Sequence, residues 1–287
     1  MVLPTQTDIS SLVKRYDALF FDSFGVLVDG VDAIPGTVEL VNRMNEADVN
    51  YFVITNDASV SLVKRVAKLK SQGFEIPIER IVNSGSLIAG YVEAHYLQGK
   101  PTLVLGTQDS KDYAIEAGVR LVEPNDPENE PDAVIVGDNR PYDWEPMLEL
   151  LLGLLSRRFV QHNPVRLVLP NPDFIFPNGP GAFGFGAAAF VDLLEQALVR
   201  LHGTHDELIA SKLGKPYSPI FKEAIRRAGT SNVVMIGDQL ETDILGANTA
   251  GIDSAVVTTG INRRKSPEDF EELAEELTPR YILASLI

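Results

Sequence analysis

Residues 18–25 read Ala-Leu-Phe-Phe-Asp-Ser-Phe-Gly, and this stretch decides the expected fold. Four consecutive apolar residues between polar ones are typical of a strand that is buried on both faces of a parallel sheet. The run ends at Asp22, and Gly25 marks the loop that follows it. The stretch therefore predicts an interior strand with a carboxylate at its carboxyl end.

The same order of elements recurs along the chain. A second apolar run at 49–54 ends at Thr55-Asn56, and helical spacing follows over 59–73. A third run at 232–236 ends at Gly237-Asp238 and is followed by a last strand at 254–257. Strands that alternate with helices indicate a parallel sheet with crossover helices. We therefore predict an α/β protein whose core is a Rossmann-like, doubly wound parallel sheet. The basic residues of the helix at 59–73 are expected on a solvated face: Lys64, Arg65, Lys68 and Lys70.

A second α/β series lies between these elements, with strands expected at 102–105, 133–136 and 166–169. The stretch 170–186 is rich in Pro, Gly and Asn and lacks periodicity, which indicates a linker or an active-site loop. The organisation that follows is a discontinuous core domain, residues 1–85 and 183–287, with an α/β cap domain inserted at 86–182.

Composition excludes several classes of function. The 287 residues include no cysteine, so disulfides, zinc–thiolate sites and thiol catalysis are excluded. A net charge of −15 disfavours nucleic acid as a partner. The N-terminus lacks the pattern of a signal peptide, and no apolar run approaches the ~18 residues of a membrane-spanning helix. We therefore expect a soluble cytoplasmic protein without a membrane partner.

Polar residues of complementary chemistry follow the predicted core strands. They are Asp22, Thr55-Asn56 and Asp238, with Lys215 after a glycine-rich loop. In open α/β sheets, ligands bind outside the carboxyl ends of the strands. Two carboxylates suit a hard cation such as Mg²⁺, whereas a lysine and a hydroxyl suit the oxygens of a phosphoryl group. An aspartate beside Mg²⁺ is able to attack phosphorus and form an aspartyl-phosphate.

Four stretches resemble, in order, the motifs of the haloacid dehalogenase superfamily. The fourth has the form found in the p-nitrophenylphosphatase-like and sugar-phosphatase-like subclass. The stretches are 21–27 (FDSFGVL), 54–57 (ITND), 214–216 (GKP) and 236–244 (IGDQLETDI). The four stretches occur in the family's order and are distributed over nearly the whole chain, which makes the resemblance specific.

The resemblance implies a role for each matching residue. Asp22 matches the covalent nucleophile, and Thr55 and Asn56 match the phosphate-binding loop. Lys215 matches the lysine that neutralises the phosphate and the nucleophile. Asp22, the backbone carbonyl of Phe24 and Asp238 match the Mg²⁺ ligands, with Asp243 as an indirect ligand. The expected activity is a Mg²⁺-dependent phosphatase acting on a small phosphorylated metabolite such as a sugar phosphate. Related caps cover the site, supply residues that recognise the substrate and often mediate homodimers.

Phe24 departs from the family pattern, which reads Asp-x-Asp in the first motif. The second aspartate of relatives protonates the leaving group and then activates water, and phenylalanine does neither. General acid–base catalysis is typically worth ~10²–10⁴-fold. We therefore expect Mg²⁺ binding to survive and proton transfer to be impaired, and Phe24→Asp to raise turnover at least ~10-fold.

Three interpretations of this departure stay open. The first is a phosphatase that uses another acid/base, for which Asp29, Asp57 and Asp138 are candidates, or that acts on a good leaving group. The second is a haloacid dehalogenase-type hydrolase. The third is a binding or regulatory protein that keeps the phosphate and metal site but turns over slowly or not at all.

Overall fold

The computed structural model describes residues 3–124, 126, 129–177, 182–260, 262, 266–283 and 286. The chain divides into two compact units. The first comprises Met1–Thr55, Leu62–Val82 and Lys215–Ile287, and the second comprises Asn56–Ser61 and Asn83–Gly214.

Helices and strands alternate along most of the chain. In order they are β1 (Thr5–Thr7), α1 (Ile9–Arg15), β2 (Ala18–Asp22), α2 (Thr37–Glu46), β3 (Tyr51–Thr55), α3 (Leu62–Ser71), β4 (Ile81–Asn83), α4 (Ile88–Ala94), β5 (Pro101–Leu105), α5 (Gln108–Glu116), β6 (Arg120–Val122), β7 (Ala133–Val136), α6 (Trp144–Val160), β8 (Arg166–Leu169), β9 (Ile175–Pro177), β10 (Phe183–Phe185), α7 (Ala187–His202), β11 (Ser211–Lys212), α8 (Ser218–Ala228), β12 (Val233–Gly237), α9 (Leu245–Thr249), β13 (Asp253–Val257) and β14 (Tyr281–Leu283).

The first unit is built on a seven-stranded sheet in the order β1-β14-β13-β12-β2-β3-β4. The pairings from β1 through β3 are all parallel. The chain runs from β2 to β3 on one side and later returns to β12 on the other, so the winding direction reverses between β2 and β12. This order confirms the predicted doubly wound parallel sheet.

The central strands of this sheet are apolar because both of their faces are covered. β2, β3 and β12 are buried along their whole length. Phe21 on β2 contacts Tyr51 on β3 edge to face, with ring centroids 6.3 Å apart. Burial of each such side chain contributes roughly 1.5–3 kcal/mol. The apolar runs that predicted the strands are therefore also what holds them in the centre of the sheet.

The second unit has its own five-stranded parallel sheet in the order β11-β8-β7-β5-β6. Helices α6 and α7 share one apolar cluster with strands β5, β7 and β8, and α4 and α5 contribute to another. A short antiparallel pair, β9 and β10, completes the unit.

The boundary of the second unit differs from the one expected from the sequence. Residues 183–214 were expected in the core domain, but they cluster with the second unit. The reason is that α7 lies in the same apolar cluster as α6, and β11 pairs with β8. That the two units act as core and cap stays a prediction.

Across the part of the chain that the structure describes, the helices are too short or too polar to cross a membrane.

Candidate active site

Three buried carboxylates meet at the carboxyl ends of adjacent strands. Asp22 is the last residue of β2, Asp238 directly follows β12, and Asp243 lies in the π-helical turn Leu240–Ile244 that leads into α9. One carboxylate oxygen from each lies within 4.8 Å of the others. The side chains are 5%, 1% and 0% exposed, respectively. The register explains the meeting, since Ile236 on β12 pairs with Phe21 on β2 and both strands end just beyond.

Lys215 bridges two of these carboxylates. Its Nζ donates hydrogen bonds of 2.6 Å to Oδ1 of Asp22 and of 2.6 Å to Oδ1 of Asp243. The lysine is itself buried, at 2% exposed. Charge-assisted bonds in a buried setting are strong and fix the side chains in place. The predicted nucleophile, the predicted indirect metal ligand and the neutralising lysine are therefore in direct contact.

Asp243 also holds the loop that carries Asp238. Its Oδ2 accepts hydrogen bonds from the backbone N–H groups of Asp238, at 3.1 Å, and Gln239, at 3.2 Å. One carboxylate therefore orients Lys215 with one oxygen and the Asp238 loop with the other. This contact fits the indirect, supporting role predicted for Asp243.

The electrostatics of the cluster call for a further positive charge. Burial raises the pKa of Asp22 well above its ordinary value; Lys215 opposes this shift, while Asp243 and Asp238 add to it. Burial alone would lower the pKa of Lys215, but the carboxylates of Asp22 and Asp243 raise it instead. Three carboxylates beside one lysine leave an excess of negative charge in a dry setting. Their hard oxygen atoms are the ligands that Mg²⁺ prefers, so the residues present fit this ion.

Glycines make room for the Asp238 carboxylate on two sides. Gly25 has φ +80°, and a Cβ built there would overlap the carboxyl group of Asp238. A Cβ on Gly260 would overlap the same group. The sequence suggested only a loop at Gly25 and no role for Gly260, because their closeness to Asp238 arises from the tertiary structure.

The predicted phosphate-binding pair lies at the end of β3. Thr55 is the last residue of that strand and is buried, and the preceding Ile54 pairs with Asp22. Asn56 begins the short segment assigned to the second unit. Within that unit its Nδ2 donates a 2.7 Å hydrogen bond to Oδ1 of Asp173. The backbone orientation of this loop toward a phosphate stays a prediction.

Phe24 is half-buried and lies beside a charged side chain that was expected in solvent. The guanidinium carbon of Arg65 is 5.2 Å from the centroid of the Phe24 ring. Arg65 is only 6% exposed, so the prediction of a solvated position was wrong for this residue, although Lys64, Lys68 and Lys70 are exposed. Helical spacing was the missed signal, because Arg65 shares the inward face of α3 with Leu69, four residues on.

The three carboxylates considered as substitutes for the missing acid/base lie outside the described carboxylate cluster. Asp29 is exposed and accepts the backbone N–H groups of Val31 and Asp32, as expected for a turn residue. Asp57 accepts hydrogen bonds from both the backbone N–H and the hydroxyl of Ser59. Asp138 is buried within the second unit.

Two family models match the chain. The haloacid dehalogenase-like hydrolase model matches residues 19–120, and a HAD-hydrolase-like model matches residues 212–287. Together these segments contain all the carboxylates of the cluster and Lys215.

Comparison with individual proteins gives similar results over nearly the whole chain. Dihydroxyacetone phosphatase of Corynebacterium glutamicum is 27% identical over 270 residues, 92% of this chain and 87% of the relative. The crystal structure of a "possible sugar phosphatase" of the HAD superfamily from Cytophaga hutchinsonii has a TM-score of 0.83 and 26% identity, covering 99% of each chain. Glycerol phosphate phosphatase from Mycobacterium tuberculosis, solved in complex with magnesium, has a TM-score of 0.79 and 26% identity, covering 96% of this chain and 77% of that chain.

Proposed function

Because the chain belongs to the haloacid dehalogenase-like hydrolases, we propose that it is a phosphoric monoester hydrolase that uses Asp22 as its nucleophile and Mg²⁺ as its cofactor. The substrate class we propose is a small phosphorylated metabolite, a sugar or polyol phosphate. Relatives named for dihydroxyacetone, sugar and glycerol phosphate support this class. The observation that carries the proposal is Lys215, which bridges Asp22 and Asp243 at 2.6 Å inside a cluster of three buried carboxylates.

Asp22, Asp238 and the backbone carbonyl of Phe24 would hold Mg²⁺ directly, with Asp243 in support through Lys215. The ion supplies positive charge where the carboxylates and the phosphoryl oxygens come together. Phe24 keeps its carbonyl, so this ligand survives the replacement of its side chain.

In the proposed reaction, a carboxylate oxygen of Asp22 attacks phosphorus and the bond from phosphorus to the ester oxygen breaks, with the leaving ester oxygen taking the bonding electron pair and then a proton from solvent. Lys215, Thr55 and Asn56 hold the oxygens of the phosphoryl group, and Lys215 also neutralises Asp22. Water then attacks the phosphorus of the aspartyl-phosphate, which releases inorganic phosphate and restores the carboxylate. Each step lacks the proton transfer that an aspartate at position 24 would perform.

The side chain of Phe24 favours a second candidate function, a phosphometabolite-binding or regulatory protein that forms the aspartyl-phosphate faster than it hydrolyses it. The two candidates share the site and differ in the fate of the intermediate. Dehalogenation has no such support, because the relatives compared are phosphatases.

The test measures phosphate release from p-nitrophenyl phosphate and from a panel of sugar and polyol phosphates, with and without Mg²⁺. We expect Asp22→Asn to lower turnover at least ~10³-fold with the fold intact. Asp32→Asn is the matched control, since it makes the same change at an exposed loop residue. Borohydride reduction of the acid-quenched enzyme, followed by peptide mass spectrometry, locates the covalent phosphate. Accumulation of aspartyl-phosphate at Asp22 without steady phosphate release would favour the second candidate. Full activity of Asp22→Asn would refute both candidates.

A further inference from the structure

The segment that follows β13 contacts both of the loops that carry proposed Mg²⁺ ligands. The Thr259 hydroxyl donates a 2.8 Å hydrogen bond to the carbonyl of Gly25, in the loop after β2. The backbone N–H of Asn262 donates a 3.1 Å hydrogen bond to the carbonyl of Asp238, after β12. The three strands are parallel neighbours in the order β13-β12-β2, so their carboxyl ends lie at one edge. One segment therefore joins the loop of Phe24 to the loop of Asp238.

Hydrogen bonds on either side of Gly25 set the direction of the Phe24 carbonyl. The Gly25 N–H shares a planar trans peptide unit with that carbonyl and donates a 2.8 Å hydrogen bond to the carbonyl of Val28. In a trans peptide the N–H and the C=O point in opposite directions, so this bond aims the Phe24 carbonyl away from Val28. The carbonyl of Gly25 belongs to the next peptide unit and accepts from Thr259. Each of the two peptide planes that meet at Gly25 is thus held by a hydrogen bond.

Gly25 gives this part of the backbone unusual freedom. Its φ is +80°, and a Cβ there would overlap the carboxyl group of Asp238, so the position requires glycine. Glycine has the widest backbone freedom of any residue, and peptide planes beside it rotate readily unless other contacts hold them. The close approach to Asp238 therefore makes the bond from Thr259 important for the orientation of the backbone at Gly25.

Side chains of α3 hold other parts of the loop after β2. The Arg65 guanidinium lies over the Phe24 ring, and the amide of Gln72 donates a 2.8 Å hydrogen bond to the carbonyl of Val31. Neither contact involves Thr259. Removal of the Thr259 hydroxyl is therefore expected to act on the peptide that it holds and to leave the loop in place.

We propose that Thr259 is a positioning residue that fixes the direction of the Phe24 carbonyl and thereby favours Mg²⁺ over Ca²⁺. Mg²⁺ demands near-octahedral geometry with ligand distances of about 2.0–2.1 Å, whereas Ca²⁺ accepts varied geometry at about 2.3–2.6 Å. A carbonyl that rotates about a released Gly25 therefore costs more Mg²⁺ affinity than Ca²⁺ affinity. This role rests on the proposed function, in which the Phe24 carbonyl is a Mg²⁺ ligand.

The experiment measures Mg²⁺ and Ca²⁺ binding to the full-length protein by calorimetry, without substrate. Thr259→Val removes the hydroxyl and keeps the shape of the side chain. We expect it to weaken Mg²⁺ about 3- to 10-fold and Ca²⁺ by no more than about 2-fold. Thr259→Ser keeps a hydroxyl and should return the Mg²⁺ affinity to within about 2-fold of the wild type.

Thr278→Val is the matched control, because the Thr278 hydroxyl also donates to a main-chain carbonyl, that of Ala274, at 3.1 Å. It should leave the affinity for both ions unchanged. In EDTA, Thr259→Val and Thr278→Val should unfold at similar denaturant concentrations. Much earlier unfolding of Thr259→Val would make its hydroxyl a general structural contact and would overturn the positioning role.

Three binding results would also overturn the role of Thr259. They are an unchanged Mg²⁺ affinity in Thr259→Val, an equal loss of affinity for the two ions, and an equal loss of Mg²⁺ affinity in Thr278→Val. If the wild type bound Mg²⁺ and released phosphate while Thr259→Val bound Mg²⁺ equally well, only the role of Thr259 would fail. If the wild type bound no Mg²⁺, the proposed cofactor and this role would fail together.

Discussion

Replacing Phe24 by aspartate would restore the family pattern, but the structure places a cation beside the new carboxylate. The guanidinium of Arg65 is 5.2 Å from the centroid of the ring that would be removed. A general acid must hold a proton at the working pH, and a neighbouring cation favours the ionised form. We therefore expect Phe24→Asp alone to give less than the full ~10²–10⁴-fold benefit of an acid/base.

The size of the effect follows from the distance. If the 5.2 Å from the Arg65 guanidinium carbon to the Phe24 ring centroid stands for the separation from the new carboxylate, two unit charges at an effective dielectric constant of about 20 interact by about 3 kcal/mol. Phe24 is half-exposed, so solvent screening leaves about 1.4 kcal/mol of this interaction. This lowers the pKa of the introduced carboxyl by about one unit, which reduces its protonated fraction at neutral pH about tenfold.

The assay is a double-mutant cycle on kcat/KM, which reports the step that forms the aspartyl-phosphate. The proteins are the wild type, Phe24→Asp, Arg65→Met and the double variant, each with glycerol 3-phosphate and with p-nitrophenyl phosphate. Adding Arg65→Met to Phe24→Asp should raise kcat/KM for the alkyl phosphate about tenfold. It should change the nitrophenyl ester little, because nitrophenolate leaves without a proton. Lys64→Met, at the exposed neighbouring position of α3, is the matched control.

If Phe24→Asp alone gave the full gain and Arg65→Met added nothing, Arg65 would not control the protonation of the introduced carboxyl. If neither variant gained on alkyl phosphates, position 24 would not be the site of the missing acid/base.

Two further predictions concern stability and metal binding. Gly25→Ala and Gly30→Ala both force a side chain into a positive φ, at +80° and +105°, but only the first would overlap Asp238, since the second has open space around it. Each variant should lose about 1 kcal/mol of unfolding free energy. Gly25→Ala should in addition weaken Mg²⁺ binding at least ~10-fold, as measured by calorimetry. Equal Mg²⁺ affinities of the two variants would contradict this. Burial raises the pKa of Asp138, so the folded protein binds this proton more tightly than the unfolded chain and loses stability as pH rises above the unfolded pKa. Asp138→Asn should therefore be more stable than the wild type by about 1 kcal/mol near pH 8 in denaturant titrations, with a smaller gain near pH 5; a gain independent of pH would count against the ionised carboxylate as its source.

Asp22, Thr55 and Asp238 were identifiable before the structure because each stands at the end of an apolar run. Lys215 and Asp243 were identifiable only because their surroundings resemble the family's motifs. The strand ending at Asp22 and the strand ending at Gly237 are local patterns, and parallel strands bring their carboxyl ends to one edge. The hydrogen bonds that join these residues were not predictable from the sequence. Asp243 bonds both Lys215 and the Asp238 loop, and this bridge depends on the turn at 240–244.

The least predictable features depend on what each segment packs against. Residues 183–214 follow the stretch that was expected to return to the core domain, yet α7 buries its apolar face against the second unit. Arg65 looked like one of four basic residues on a wet helix, but it faces inward with Leu69. A cluster of basic residues predicts a solvent-exposed helix face only for those positions that helical spacing places away from the buried apolar residues.

The sequence by itself determined the parallel α/β architecture, the order of the motifs and the departure at Phe24, because apolar runs and residue identity are local properties of the chain. Only the tertiary structure decided that Arg65 lies beside Phe24, that Lys215 bridges two carboxylates and that Asp138 keeps an oxygen without a donor. Those facts depend on distances between residues far apart in the chain. The packing of strands and helices in the folded chain sets these distances, and no short stretch of the sequence determines them.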